Sequence, residues 1–273
     1  MLTLVEARTP QGTLLSLPLD DISSGIIVKG FDGLDPVKAT IVQSSLAGRD
    51  GTQFQSSRRD SRNIMIKLGL EADYIMSSIT ELRKQLRGFF LPKSMVSLRF
   101  YDSEGLTVDI SGVVETCDAP LFTDKPTVEI SIICFDSDFV EVDSVEVSNS
   151  TVSSSSESVI QYDGDIETGF IFTLNVDRDL TEFTIYNRPP DDVTYILDFA
   201  AVLQAGDVLT INTVAGSKEI TLKRDGVESS LLYGMPSQSS WIQLFPGENH
   251  YRVYAEGAAI PYTISYITRH GGL

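Results

Sequence analysis

Two histidines, His250 and His270, are the only imidazole side chains in this 273-residue sequence. A serine or cysteine nucleophile needs a base within hydrogen-bond reach, and that base is most often histidine. Both histidines come late in the chain, beside turn residues or near residue 273, which favours exposed, incidental side chains. The sequence contains no Gly-x-Ser-x-Gly segment and no glycine-rich phosphate loop with its lysine. We therefore predict a protein without catalytic residues.

Metal and cofactor sites are not predicted either. Cys117 and Cys134 lie far apart and, with two histidines, do not supply the spaced ligands of a zinc site. They are expected to be buried, reduced thiols. Residues 163–167 resemble a calcium loop, but its sixth position lacks glycine and Leu174 replaces the bidentate glutamate, so a plain turn is favoured. We expect no metal and no cofactor.

Two features are candidates for binding. Arg58, Arg59 and Arg62 form the densest basic patch, which is either a solvated edge or, because arginine suits protein interfaces, a surface predicted to form salt bridges with another subunit. Trp241, the sole tryptophan, could stack against a sugar. It lies in an alternating segment typical of a strand, so packing against a core is favoured over a glycan platform.

The overall charge bears on possible partners. The chain has 38 acidic and 21 basic residues, a formal net charge of −17, which disfavours gripping a nucleic-acid backbone. We expect no membrane partner, because no apolar run approaches the roughly 20 residues of a spanning helix. The N-terminal residues do not resemble a signal peptide, so the protein is expected to fold in the cytoplasm in which it is made.

The first part of the chain, residues 1–142, is predicted to be a β-sheet or split-barrel domain with one helix. Ile64, Ile66 and Leu68 alternate like the buried face of a strand. The helix is predicted from Ile75, Met76, Ile79, Leu82 and Leu86, with Asp73 as N-cap and Gly88 just past its end. The polar residues 44–61 are predicted to be a long loop that serves as a contact arm.

A serine-rich segment, residues 143–158, is predicted to be a flexible inter-domain linker. After it, over residues 159–273, short strands alternate with turns such as Ala205-Gly206-Asp207 and Arg224-Asp225-Gly226, and no helical pattern occurs. In the first domain, Asp124-Lys125-Pro126 is a predicted turn between strands. This favours a C-terminal β-sandwich, of jelly-roll or galectin-like type. The predicted fold class is therefore mainly β.

Several segments, in order and spacing, resemble the distal tail proteins (Dit) of tailed bacteriophages of the siphophage type. In the first domain they are residues 30–34, 62–66, 112–115 and 132–139. In the second they are residues 162–170, 205–213, 244–249 and 266–271.

The resemblance implies a structural virion protein. In that family the N-terminal domains form a hexameric ring at the distal end of the tail tube, which is the hub for the baseplate or tail tip, and a galectin-like domain projects outward. It implies as partners further copies of the chain, the tail tube protein and tail-tip hub or receptor-binding proteins. DNA would only pass through the lumen, and an acidic wall suits that passage. The implied location is the virion tail tip, after assembly in the host cytoplasm.

Two other functions stay open on the sequence alone. A carbohydrate-binding module on an adaptor domain would use Trp241 for attachment to the host surface. A surface glycan hydrolase would use a pair of the many carboxylates, among which Asp191 and Asp192 are weak candidates in a proline-preceded turn.

Overall fold

The computed structural model describes residues 1–19, 21, 23–48, 50–71, 78–121, 126–181, 183–199, 202–257 and 259–273. The chain forms two compact units. Unit 1 comprises Met1–Val142 together with Gly271–Leu273, and unit 2 comprises Asp143–His270. The last three residues therefore belong to unit 1, whereas the sequence assigns them to the C-terminal domain.

Unit 1 is an antiparallel β-structure with one helix. Its strands are β1 (Leu2–Arg8), β2 (Leu14–Pro18), β3 (Ile26–Asp32), β4 (Ala39–Ser44), β5 (Gln53–Arg59), β6 (Arg62–Leu70), β7 (Met95–Asp102), β8 (Thr107–Asp118) and β9 (Thr127–Cys134). A tenth strand, β10 (Phe139–Ser150), begins in this unit and continues past residue 142 into unit 2. The main sheet has the order β3-β6-β9-β8-β7-β1-β2, and Val140 and Glu141 of β10 pair with β8. The alternation in β6 is confirmed, since Ile64, Ile66 and Leu68 are fully buried.

The helix α1 (Ile79–Phe89) differs from the prediction at both ends. Its N-cap is Ser78, whose side chain accepts from the main-chain N–H of Glu81 while the Glu81 carboxylate accepts from the main-chain N–H of Ser78. This reciprocal capping box satisfies two amides that a helix start leaves free. Gly88 lies inside the helix, so its prediction as a terminating residue is wrong. Leu82 and Leu86 are buried.

Some predicted positions fall outside the described residues. These are the predicted N-cap Asp73, the helical residues Ile75 and Met76, and the turn residues Asp124 and Lys125.

The predicted long loop is a β-hairpin, so that prediction is wrong. Strands β4 and β5 form a separate two-stranded sheet, in register from Ala39 opposite Arg59 to Ser44 opposite Gln53. Polar sequence misleads here because a strand exposed on both faces lacks the alternation of apolar and polar residues that marks a half-buried strand. We call residues 38–60 the assembly hairpin.

Unit 2 is a sandwich of two antiparallel sheets. Its strands are β11 (Ser158–Tyr162), β12 (Phe170–Asn175), β13 (Phe183–Arg188), β14 (Tyr195–Phe199), β15 (Val208–Asn212), β16 (Glu219–Arg224), β17 (Val227–Ser230), β18 (Gly247–Ala255) and β19 (Pro261–His270). One sheet has the order β17-β16-β15-β12-β19 and the other β11-β18-β13-β14. Both contribute to one core, in which the rings of Phe172 and Phe183 stack with centroids 6.0 Å apart. The mainly β fold class is confirmed.

The segment predicted as a linker is ordered over its first half. Residues 143–150 continue β10, so the prediction of a flexible linker is wrong there. Its valines, although few, alternate with polar residues as in a strand, and Val147 packs against the core of unit 2. A high serine content therefore did not make residues 143–150 flexible.

Candidate assembly surface

The assembly hairpin presents apolar side chains to solvent on unit 1. Ile41, Val42, Leu46 and Phe54 are 61%, 50%, 55% and 63% exposed, and all seven residues of β5 are exposed. An isolated two-stranded hairpin is at best marginally stable in water. Clustered exposed apolar residues of this kind mark surfaces that bind another protein.

Polar contacts close the base of the hairpin, and the contact of Arg59 fastens it to the rest of unit 1. The Thr40 hydroxyl donates to the Asp60 carboxylate at 2.8 Å, and the main-chain N–H of Asp60 donates to the Lys38 oxygen at 3.1 Å. The Arg59 guanidinium donates through both terminal nitrogens to the carboxylate of Asp138, whose side chain is only 3% exposed. Such two-point pairs have defined geometry, so they set the direction in which the hairpin leaves the unit.

Arg59 is thus placed within its own unit, and Arg58 remains the arginine that faces outward. Arg58 lies in the exposed strand β5. Within the described ranges no ion pair involves Arg58. The hairpin, residues 38–60, contains four basic and two acidic residues, in a chain of net charge −17. It is therefore a locally basic element on an acidic protein.

Arg62 is not part of an interface, because it is 1% exposed. Its Nε donates to the Ser137 oxygen at 2.7 Å, and Nη1 donates to the oxygens of Gly33 and Asp35 at 2.6 and 2.7 Å. Nη2 donates to the Gly271 oxygen at 2.5 Å. Burial lowers the pKa of the guanidinium from its ordinary value, but arginine stays charged at neutral pH. The prediction that Arg62 contacts another subunit is wrong for this reason.

Trp241 is half-buried and packs against the core of unit 2. The ammonium of Lys218 lies 5.7 Å from its ring centroid. A sugar platform needs an open aromatic face. The core of unit 2 and the Lys218 ammonium both cover part of this ring. The geometry agrees with the packing role that the sequence favours, and glycan binding at Trp241 stays an untested prediction.

The two histidines lie beside acidic residues in unit 2. His250 lies 3.8 Å from carboxylate oxygens of both Glu157 and Glu248, and His270 lies 3.8 Å from Asp165. The His270 side chain is only 15% exposed, so the prediction of an exposed imidazole is wrong for that residue.

Both cysteines are free. Cys134 is buried, and burial raises the pKa of its thiol to about 11. Cys117 is partly exposed, and burial raises its pKa as well. Over the part of the chain that the structure describes, no cluster of acidic, histidine and cysteine side chains could hold a metal ion, and no helix is long and apolar enough to cross a membrane.

Sequence reasoning missed two residues of this region. Asp138 and Gly271 complete the contacts of Arg59 and Arg62, yet they lie 79 and 209 positions away along the chain. The segments that contain them, residues 132–139 and 266–271, were singled out only as matching segments. A periodicity analysis carries no signal for such contacts, because they join single residues that are far apart along the chain and follow no repeat.

Comparison with known proteins shows which class of protein the second unit resembles. Residues 163–270 match the model of the siphovirus-type tail component, C-terminal domain. This class comprises structural components of phage tails.

The resemblance to the distal tail proteins is thereby confirmed for the C-terminal domain, where residues 163–270 match the model of this class. The crystal structure of the SPP1 Dit protein, described as a paradigm of the hub adsorption apparatus in phages that infect Gram-positive bacteria, aligns with a TM-score of 0.67 at 16% identity, covering 97% of this chain and 98% of that one. Two structures of the phage p2 baseplate in its activated conformation, with strontium and with calcium, align with a TM-score of 0.45 at 12% identity, covering 96% and 97% of this chain and 97% and 98% of theirs. No curated protein sequence matches significantly.

Proposed function

We propose that this protein forms a hexameric ring at the distal end of a phage tail tube and is the hub on which the baseplate or tail tip assembles. Unit 1 forms the ring, and the outward apolar surface of the assembly hairpin contacts the neighbouring copy. The tail tube protein and tail-tip or receptor-binding proteins are the flanking partners. The virion tail tip is the place of action, and the protein has no catalytic role.

The observation that carries this proposal is the exposure of the assembly hairpin. Phe54 and Ile41 are each more than 60% exposed on a two-stranded sheet that receives no third strand among the described residues. Covering them in an interface removes apolar surface from water and gives the hairpin the support that two strands lack. A neighbouring copy fits this role because its overall charge is strongly negative, whereas the hairpin is locally basic.

The ring also supplies a channel for DNA. With a net charge of −17 per chain, an acidic lumen would keep the passing genome from adhering to the wall. This part of the proposal has its own test, because a ring whose lumen proves to be basic contradicts it.

The decisive experiment is native mass spectrometry and negative-stain electron microscopy of the purified full chain, with and without a tube protein. We expect six-membered rings with a central pore. A variant in which residues 41–57 are replaced by a short Asn-Gly turn should remain folded and monomeric. A variant that still forms hexamers would contradict the role of the hairpin, and a protein that stays monomeric even with the tube protein would contradict the ring.

A further inference from the structure

Residues 271–273 belong to unit 1 through contacts with one short segment, residues 33–36. The main-chain N–H of Leu273 donates to the Leu34 oxygen at 3.0 Å. Gly272 lies so close to the segment that an added Cβ would be 2.7 Å from Cδ of Pro36 and 2.9 Å from its nitrogen. Any side chain at position 272 would therefore displace residues 33–36.

The same segment also contacts the start of β6. Gly33, with φ of +85°, is so close to Asn63 that an added Cβ would be 2.0 Å from the Asn63 oxygen. The Arg62 guanidinium donates to the oxygens of Gly33 and Asp35 as well as to Gly271. Segment 33–36 thus contacts both β6 and residues 271–273. The buried guanidinium of Arg62 donates hydrogen bonds to this segment and to Gly271.

This arrangement lies directly at the base of the assembly hairpin. Strand β4 begins three residues after Pro36, and β5 ends three residues before Arg62. The fourth acceptor of Arg62 is the Ser137 oxygen, and the next residue, Asp138, binds Arg59 at the end of β5. The Arg62 guanidinium also lies over the ring of Phe139, 4.4 Å from its centroid, which further fixes its position.

We propose that residues 271–273 position the assembly hairpin, by holding residues 33–36 against Arg62 so that β4 and β5 leave unit 1 in one direction. This inference rests on the proposed function for its biological use, but the positioning is measurable in the single chain. The residues that follow the last strand of unit 2 thereby control an assembly element of unit 1.

The test is hydrogen exchange, followed by mass spectrometry, on the full chain carrying Gly272→Ala. Gly272 does not adopt a positive φ, so the substitution adds only the contact with Pro36. We expect the amides of residues 39–44 and 53–59 to exchange about tenfold faster, since overpacking favours local opening of this base. Exchange in unit 2 should not change. Gly88→Ala is the matched control, because its Cβ meets nothing within 4 Å, and it should leave the hairpin amides unaffected.

Two further variants separate positioning from general loss of structure. Adding Pro36→Ala to Gly272→Ala removes the Cδ atom that the new Cβ would meet, and it should restore part of the slow exchange. Leu273→Pro removes the N–H that donates to Leu34 and leaves Gly272 without a Cβ, so it should accelerate hairpin exchange without adding bulk against Pro36. Unchanged hairpin exchange in both Gly272→Ala and Leu273→Pro would overturn the inference.

Ring formation, measured on the same samples, distinguishes the two proposals. Faster hairpin exchange with undiminished ring formation supports the positioning role and contradicts the use of the hairpin in assembly. Loss of rings on hairpin deletion, with hairpin exchange unchanged in the residue 272 and 273 variants, supports the proposed function and overturns the positioning role.

Discussion

Arg62 donates a 2.5 Å hydrogen bond to the main-chain oxygen of Gly271, a residue 209 positions further along the chain. The same guanidinium bonds three other main-chain oxygens of unit 1 and is 1% exposed. A buried charge is tolerated only when its donors are satisfied, and here all the satisfying acceptors come from loops. Arg62 thus joins three loop segments that have no strand pairing with one another.

Replacing Arg62 with lysine should destabilise unit 1 strongly. A lysine ammonium cannot reproduce the planar fork, so buried carbonyl oxygens lose their donors, and we expect a loss of about 3 kcal/mol in the free energy of unfolding. Urea titration followed by circular dichroism measures it, while fluorescence of Trp241 reports on unit 2. Arg58→Lys, the same change on the exposed strand β5, should have no measurable effect. Equal stability of the two variants would contradict this account.

Gly33→Ala should destabilise the protein more than Gly12→Ala. Both glycines have a positive φ, of +85° and +84°, so both substitutions incur the left-handed backbone cost of about 1 kcal/mol. Only at Gly33 does the new Cβ also overlap a main-chain oxygen, that of Asn63. Midpoints of chemical denaturation compare the two. An equal shift would mean that the close approach of residues 33 and 63 relaxes without cost.

Asp207→Asn should destabilise unit 2 in a pH-dependent way. Hydrogen bonds of 2.8 and 2.6 Å from Arg224 hold the pKa of Asp207 below its ordinary value, against the raising effect of burial, and the N–H of Gln204 lowers it further. Because the folded pKa lies below the unfolded value, this stabilisation is complete above about pH 4 and is lost as the pH falls through the folded pKa.

At pH 7 we expect Asp207→Asn to lose about 2 kcal/mol, a modest value because the Arg224 side chain is 37% exposed and solvent screens the pair. The difference from the unaltered protein should shrink as the pH falls below about 4. Urea titrations followed by Trp241 fluorescence between about pH 2 and 7 test this. Asp225→Asn, which removes a neighbouring exposed charge, is the control, and a pH-independent difference for Asp207→Asn would refute the linkage.

Phe54→Ser should weaken self-association without weakening the fold. Phe54 is 63% exposed, so its truncation removes little buried surface from the single chain, and the unfolding free energy should not change measurably. If the residue contacts a neighbouring copy, we expect about tenfold weaker ring assembly, as for a central interface aromatic. Tyr233→Ser, at an 82% exposed aromatic of unit 2, is the matched control. Identical assembly by both variants in mass photometry would remove Phe54 from the interface.

The sequence alone predicts much of the strand content. Strands β14 (Tyr195–Phe199) and β15 (Val208–Asn212) lie where alternation places them, because one face of each is buried and the other is wet. The strands of the assembly hairpin were not predicted, because neither face of the hairpin is buried in the single chain. Its apolar and polar residues therefore do not alternate as they do in a half-buried strand. The helix start was also displaced, because Ser78 with Glu81 forms the cap.

The sequence by itself determined that this is a mainly β, acidic chain with an alternating core, two unpaired cysteines and segments whose order resembles that of the distal tail proteins. Tertiary structure alone decided the roles of the three arginines: one exposed, one bound to Asp138, and one buried under four carbonyl oxygens. It also decided that residues 271–273 belong to unit 1. Local propensity acts over a few residues, whereas these contacts join residues up to 209 positions apart, and only the folded chain brings the Arg62 guanidinium within hydrogen-bond distance of the Gly271 oxygen.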